Sequence, residues 1–198
     1  SVIMQYLEDQ VPDPTLLPES PLNRAQMRLW LKRIDDPLHP STGILTHATA
    51  FRPIFLKKTL KEQKEHFKRM PDQARRKRQE AVYKDGLNSP IVEDAIFVFN
   101  KFMEDAEFAL GKNSYLAGPD YSLADAAATP YLNRLNDLNF LQVWADSKPY
   151  VLNWFKRIKE RTSFKSAITS FLTEKDIEQF KNVDDSGAAK AKFLLKIG

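Results

Sequence analysis

Apolar residues recur along this chain with a helical period, and no stretch alternates apolar and polar residues with period two. Met27, Leu31, Ile34 and Leu38 form one stripe with Trp30 beside it, which predicts a helix from about Leu22. Pro37 and Pro40 are expected to end it. Val11 to Pro21 holds Pro12, Pro14, Pro18 and Pro21 and reads as an extended linker over residues 11–21, after a helix end at Ser1 to Asp9. Ser41 to Phe55 is ambiguous: Ser41 or Thr42 is placed to cap a short helix that Pro53 interrupts. Ser89-Pro90 is an N-cap followed by proline at the first helical position. From it Val92, Ile96, Phe99, Met103, Ala106 and Leu110 step along one face, which Ile91, Val98 and Phe102 widen into a helix buried on two sides. Gly111 is placed to end that helix. Further helices are expected from Leu123 to Leu138, from Lys148-Pro149 with Val151, Trp154, Phe155 and Ile158 inward, and from Phe164 to Phe171 as a last core helix. Thr173, with Asp176 three residues on, opens a weaker helical tail. The fold class predicted is all-α.

Charge changes this picture in one place. Residues 57–84 carry eleven Lys or Arg against Glu62, Glu65, Asp72 and Glu80, a local net charge of +7. The whole 198-residue chain is only +4, so the rest sums to −3 and the basic character is local. Aromatic interleaving is thin, with Phe67 and Tyr83, and no nucleic-acid-binding motif appears. The stretch reads as a solvated helical insertion split by Pro71, with neither a nucleic acid nor a membrane as its partner. The absence of cysteine rules out disulfides and thiolate metal sites. His39, His47 and His66 show no ligand spacing, so no metal site is expected.

The most specific stretch is Tyr115-Leu-Ala-Gly-Pro-Asp-Tyr-Ser-Leu-Ala-Asp125. Ser122 and Asp125 stand at capping-box spacing before an apolar helical pattern. The Ser122 hydroxyl is expected to accept from the Asp125 N–H, and the Asp125 carboxylate to reach back to the Ser122 N–H. Tyr121 is placed to pack on Ala126 as a hydrophobic staple. That work is structural, not catalytic.

This string resembles the start of the buried sixth helix in the all-α half of cytosolic glutathione transferases. Three more places resemble the family in order: Ser1-Val-Ile-Met-Gln-Tyr-Leu-Glu8, Leu17-Pro-x-x-Pro-Leu-x-Arg-Ala25, and Trp154-Phe-x-Arg-Ile-x-x-Arg-x-Ser-Phe164-x-x-Ala167. The long interior and C-terminal extension look most like the bacterial transferases related to lignin β-aryl-etherases. The resemblance implies a helical bundle over residues 22–172 with an insertion at about 40–88 and an extension at 173–198. It makes residues 1–10 the last helix of a thioredoxin-like domain that lies before this chain, and the chain the C-terminal half of a longer protein.

The implied activity is addition of glutathione thiolate to an electrophile, or aryl-ether cleavage, in a cytoplasmic homodimeric enzyme of the detoxification type. Glutathione is the cosubstrate, and a hydrophobic, aromatic electrophile the second partner. The resemblance places the catalytic Ser, Tyr or Cys upstream, with none in this chain, and puts Ser1 beside the Glu-Ser pair that binds glutathione. Met27, Leu31, His47 and Phe51 are the candidates for the electrophile pocket, with Arg28 and Arg52 as nearby polar groups. The alternative is a non-catalytic interaction module of the same fold, with the basic insertion as its docking surface.

Overall fold

A computed structural model describes residues 1–197, and no strand occurs among them. Apolar residues spaced at three and four can only be buried together on helices, and twelve α-helices are present among the described residues. They are α1 (Val2–Gln10), α2 (Pro21–Arg33), α3 (His39–Thr46), α4 (Arg52–Leu56), α5 (Leu60–Lys68), α6 (Gln73–Asp85), α7 (Pro90–Leu110), α8 (Leu123–Asp137), α9 (Pro149–Lys159), α10 (Thr162–Ala167), α11 (Glu174–Lys181) and α12 (Ser186–Leu195).

Pro37 and Pro40 do not end the second helix. The backbone stays helical from Pro21 to Leu56 by widening into π-turns at Ile34–Leu38 and His47–Phe51. In the first of these the His39 N–H reaches back five residues to the Ile34 carbonyl. A proline has no N–H to give and crowds the preceding turn. An extra residue in the turn accommodates both effects without breaking the helix. Helix α3 accordingly starts at His39, ahead of Ser41 and Thr42, and neither begins it.

The chain divides into two compact units, the first made of Ser1–His39, Asn100–Asn133 and Trp144–Leu172. Its core gathers Met27, Trp30 and Leu31 of α2, Phe102 and Met103 of α7, Leu116, Ala124 and Ala128 around the start of α8, and Val151, Trp154, Phe155 and Ile158 of α9. Polar groups caught in this core find partners. The Trp30 indole donates to the Leu116 carbonyl at 2.9 Å and meets Phe102 edge-on, and Trp144 donates to Asn100 at 2.9 Å. Glu107 accepts from the N–H groups of Tyr150 and Val151 at 3.2 and 3.0 Å, satisfying the open first turn of α9 from another helix. The proline-rich segment is pinned rather than loose: buried Glu8 accepts from the Thr15 hydroxyl and the Leu16 N–H, and the Leu16 carbonyl takes the Leu123 N–H. The segment Phe164 to Phe171 is not a core helix. Helix α10 stops at Ala167, a short 3-10 turn follows, and no residue of either is buried. Lys and Ser between the apolar positions keep its face too narrow to bury.

The second unit comprises Pro40–Phe99, Arg134–Val143 and the chain from Thr173 on. Thus residues 40–88 and the chain from Thr173 on belong to one body. Phe55 stacks on Tyr83 with ring centroids 3.9 Å apart, and Phe67 and His66 close around the pair. The tail is tied down at several points. Asn139 donates to the Val183 carbonyl, Gln142 to Asp185, Lys190 to Glu93, and the Arg134 guanidinium lies over Phe180. Gly187 faces the buried Phe140 ring so closely that a Cβ there would stand 2.6 Å from it. Only glycine fits that approach.

Candidate functional site

The start of α8 carries the most concentrated polar cluster of the first unit. Ser122 and Asp125 are both fully buried. One Asp125 oxygen accepts the Ser122 N–H and hydroxyl, each at 3.0 Å; the other accepts the Leu116 N–H at 3.0 Å and the Trp154 indole at 2.9 Å. The Ser122 hydroxyl accepts from the Ala124 N–H at 3.3 Å and not from Asp125, whose N–H goes to the Ser122 carbonyl at 3.1 Å. Burial pushes the Asp125 carboxyl above its ordinary range while these four donors pull it back. A carboxylate with every lone pair committed has none left for a substrate. Local spacing revealed Ser122; Trp154 and Leu116 reach the same carboxylate through tertiary packing, with no local signal. Tyr121 lies under the Arg161 guanidinium and edge-on to Tyr115.

The sequence-predicted pocket residues fall in both units, Met27 and Leu31 in the first and His47 and Phe51 in the second. Met27 and Leu31 are 0% and 2% exposed core residues and offer no surface to a ligand. They fill α2's inward stripe, which Trp30 shares. The Ser1 hydroxyl donates to Asp35. His47 and Phe51, in the second unit, meet edge-on with centroids 5.3 Å apart in the π-turn.

His47 is the centre of a polar network inside aromatic walls. Its Nδ1 lies 2.8 Å from the Tyr83 hydroxyl, and its Nε2 lies 2.7 Å from the Gln79 side-chain amide. Burial, with the charges of Arg75 and His66 adding to it, lowers the His47 pKa to about 4. Burial also pushes the Tyr83 phenol up to about 12. At neutral pH the phenol keeps its proton and the imidazole is neutral. The Gln79 amide nitrogen can only donate, so it donates to Nε2, which puts the imidazole proton on Nδ1, donated to the Tyr83 hydroxyl oxygen. Sequence reasoning found His47 but not its partners.

A cleft of about 400 Å³ opens in the same unit, a volume within the range of small-molecule sites. The π-turn and α4 contribute Ala48, Thr49, Arg52 and Pro53, the end of α6 and the turn after it Asp85 to Asn88, and the tail Asn182, Val183, Asp184 and Ser186. Arg52 is set in place by the end of α6. Its Nε donates to the Tyr83 carbonyl at 2.9 Å and its Nη2 to the Lys84 carbonyl at 3.1 Å, two acceptors left open in the last helical turn. Its guanidinium lies against Gly86, where φ is +57° and a Cβ would stand 3.1 Å from it. The positive φ favours glycine there, and the guanidinium leaves little room for a Cβ. Among the described residues no group of three or more His, Cys, Asp or Glu could hold a metal ion, and no helix is long and apolar enough to cross a membrane.

The helical fold of this chain is shared with the β-etherase LigF, and its homologues are members of the glutathione transferase family. The chain is similar to Protein LigF of Sphingobium sp., 27% identical over 173 residues, covering 83% of this chain and 66% of that protein. It is also similar to a stringent starvation protein A homolog of Coxiella burnetii, 26% identical over 174 residues, covering 87% of this chain and 64% of the other. A shorter stretch of 67 residues is 33% identical to a tetrachloro-p-hydroquinone reductive dehalogenase of Sphingobium chlorophenolicum, covering 34% of this chain and 27% of that one. The solved structure of the β-etherase LigF superposes with a TM-score of 0.74 at 25% identity, over 85% of this chain and 72% of its own. The chain spans slightly less than two thirds of the length of the first two relatives. No family model matches it.

Proposed function

We propose that this chain is the helical, electrophile-binding half of a glutathione-dependent enzyme of the transferase and β-etherase type. The observation that carries the reading is the likeness to the β-etherase LigF across 85% of the chain, with the Asp125 helix start at its centre. In this reading a thioredoxin-like domain in the same polypeptide supplies the thiol-activating group and the site for the glutathione carboxylate. A glutathione thiol has a pKa near 8.5, and a hydrogen bond to its sulfur favours the thiolate at working pH. The thiolate attacks the carbon that bears the leaving group. The C–S bond forms as the C–O bond of an aryl ether breaks, and the departing aryloxide takes a proton from water. The helical half holds the aromatic electrophile, with Phe51 and the neutral His47 on its binding side. Pairing of two copies through α2 and the α7 helix, in the cytoplasm, completes the picture.

The stringent starvation protein relative, matched over a similar length, has a name that states no reaction. That observation favours a second reading, an interaction module without glutathione chemistry. Glutathione-agarose binding of the longer polypeptide that carries this chain, with turnover of 1-chloro-2,4-dinitrobenzene and of a β-aryl ether probe, separates the two. Retention with turnover of either probe is expected. Neither retention nor turnover would leave the interaction module standing.

A further inference from the structure

The cleft of the second unit has a donor and acceptor inventory that selects one kind of ligand. Several of its donors are already committed, and the Asn88 amide adds an uncharged donor and acceptor. The Thr49 hydroxyl donates to the Leu45 carbonyl at 2.8 Å, the Asn182 amide to the Glu178 carbonyl at 3.0 Å, and the Ser186 N–H and hydroxyl both to one oxygen of Asp184. Arg52 is different. Two of its nitrogens are used on α6 carbonyls, which fixes the plane of the guanidinium, and Nη1 remains on a residue that lines the cleft. Acceptors, in contrast, are in surplus: the Asp85 carboxylate, the second oxygen of Asp184 and the Asn182 carbonyl oxygen. With one cation against two carboxylates, the lining is net negative at neutral pH.

A simple anion meets two carboxylates there, and a simple cation meets an oriented guanidinium. A molecule bearing both charges satisfies both walls. We propose that this cleft binds a small zwitterion, an α-amino acid or short peptide, with its carboxylate on Arg52 and its ammonium group on Asp184 and Asp85. Guanidinium and carboxylate are a geometrically matched pair, and a guanidinium already held in plane loses little freedom on binding. The two hydrogen bonds from Ser186 hold Asp184 below the usual carboxylate range, so it stays ionised as a partner for an ammonium. The volume of about 400 Å³ suits a molecule of dipeptide to tripeptide size. The cleft exists only because the insertion and the C-terminal extension fold together, which gives these two additions a joint purpose. The proposal uses these residues alone and stands whether or not the chain serves glutathione chemistry.

Calorimetric titration of the 198-residue chain with triglycine, N-acetyltriglycine and triglycinamide tests it. Triglycine should bind saturably, and either blocked form about tenfold more weakly, because each lacks one of the two charges. Asp184→Asn keeps the acceptor for Ser186 and should weaken triglycine about fivefold or more while leaving N-acetyltriglycine unchanged. Arg52→Lys should weaken triglycine and leave triglycinamide unchanged. Because Arg52 also holds the end of α6, Asp85→Asn is the second variant if Arg52→Lys lowers the helical circular dichroism, and it should behave as Asp184→Asn does. Absence of saturable triglycine binding, equal binding of all three probes, or indifference to the Asp184 and Asp85 variants overturns the proposal.

Discussion

Among the described residues three helices begin with the same signature, a Ser or Thr followed three residues later by an acid, and the two units use it differently. In the second unit the boxes Thr59–Glu62 and Thr173–Asp176 sit on the surface, with the hydroxyl taking the acid's N–H and the carboxylate returning to the N-cap N–H. Their hydrogen bonds hold Glu62 and Asp176 below the usual carboxylate range. In the first unit the box Ser122–Asp125 is buried, burial pushes the carboxyl the other way, and two donors from outside the box complete its shell. The spacing signature identifies a helix start; tertiary placement sets what that start is worth. An exposed box trades protein hydrogen bonds for water, with a small net gain. A buried box leaves unpartnered donors in a dry interior when it is broken.

Removing Asp125 is therefore the largest test of the contrast. Asp125→Ala strands the Leu116 and Ser122 N–H groups, the Ser122 hydroxyl and the Trp154 indole in the core. A loss of about 4 kcal/mol is expected by urea denaturation, a large part of a typical domain's stability. Asp125→Asn keeps an acceptor for Trp154 and Leu116 but turns an NH₂ toward the Ser122 N–H, and should cost about 2 kcal/mol. Equal, small losses for both variants would mean that the buried box is worth no more than an exposed one.

How much of this was legible in the sequence follows the same division. The Ser122–Asp125 start, the α7 helix from Ser89-Pro90 and the apolar stripe of α9 are local patterns, and each is found in place. The prolines at 37 and 40 misled because proline stops a helix only where the turn cannot widen, and the π-turn at Ile34–Leu38 widens it. Glu107 capping α9 from 43 residues away, and Trp154 reaching Asp125 across 29, have no signature in spacing. Met27 and Leu31 illustrate the reverse problem. Periodicity marks an inward face, but it does not separate residues that line a ligand pocket from residues that fill the core. Arg52 was legible as a polar group near the pocket candidates, but not its anchoring, which lies in Gly86 and the open carbonyls of α6.

The two units should also differ in acid. His47 is neutral and partly buried, with its folded pKa lowered from 6.5 to about 4. A depressed pKa contributes stability that is present above the unfolded value and lost as pH falls through the folded one. The window is therefore about pH 6.5 down to about pH 4. At about 1.4 kcal/mol per tenfold, discounted for partial exposure, the loss across it is about 1–2 kcal/mol. Urea midpoints of the wild type and His47→Gln between pH 7 and pH 4.5 measure it: the wild-type curve should fall more steeply. Parallel curves would show that the network with Tyr83 and Gln79 leaves the imidazole free to take up its proton.

The smallest effect belongs to an exposed box, and its smallness is what makes it informative. Thr173→Ala removes the hydroxyl that accepts the Asp176 N–H at 3.2 Å, and the Asp176 carboxylate loses its hydroxyl donor while keeping the Thr173 N–H at 3.0 Å. Water replaces both lost bonds, because Glu174–Lys181 contains no buried residue. Amide hydrogen exchange should then quicken only within α11, on the scale of local fraying, with the urea midpoint of the whole chain unmoved. Protection in α12 should persist, because Ala188 and Ala191 are buried, Gly187 is seated on Phe140 and Lys190 bonds to Glu93. If α12 loses protection together with α11, the tail unfolds as one piece and its exposed box governs more than its own helix. The cleft lined by Asn182, Val183, Asp184 and Ser186 would then be only as firm as a surface hydrogen bond, and triglycine affinity in Thr173→Ala would fall with it.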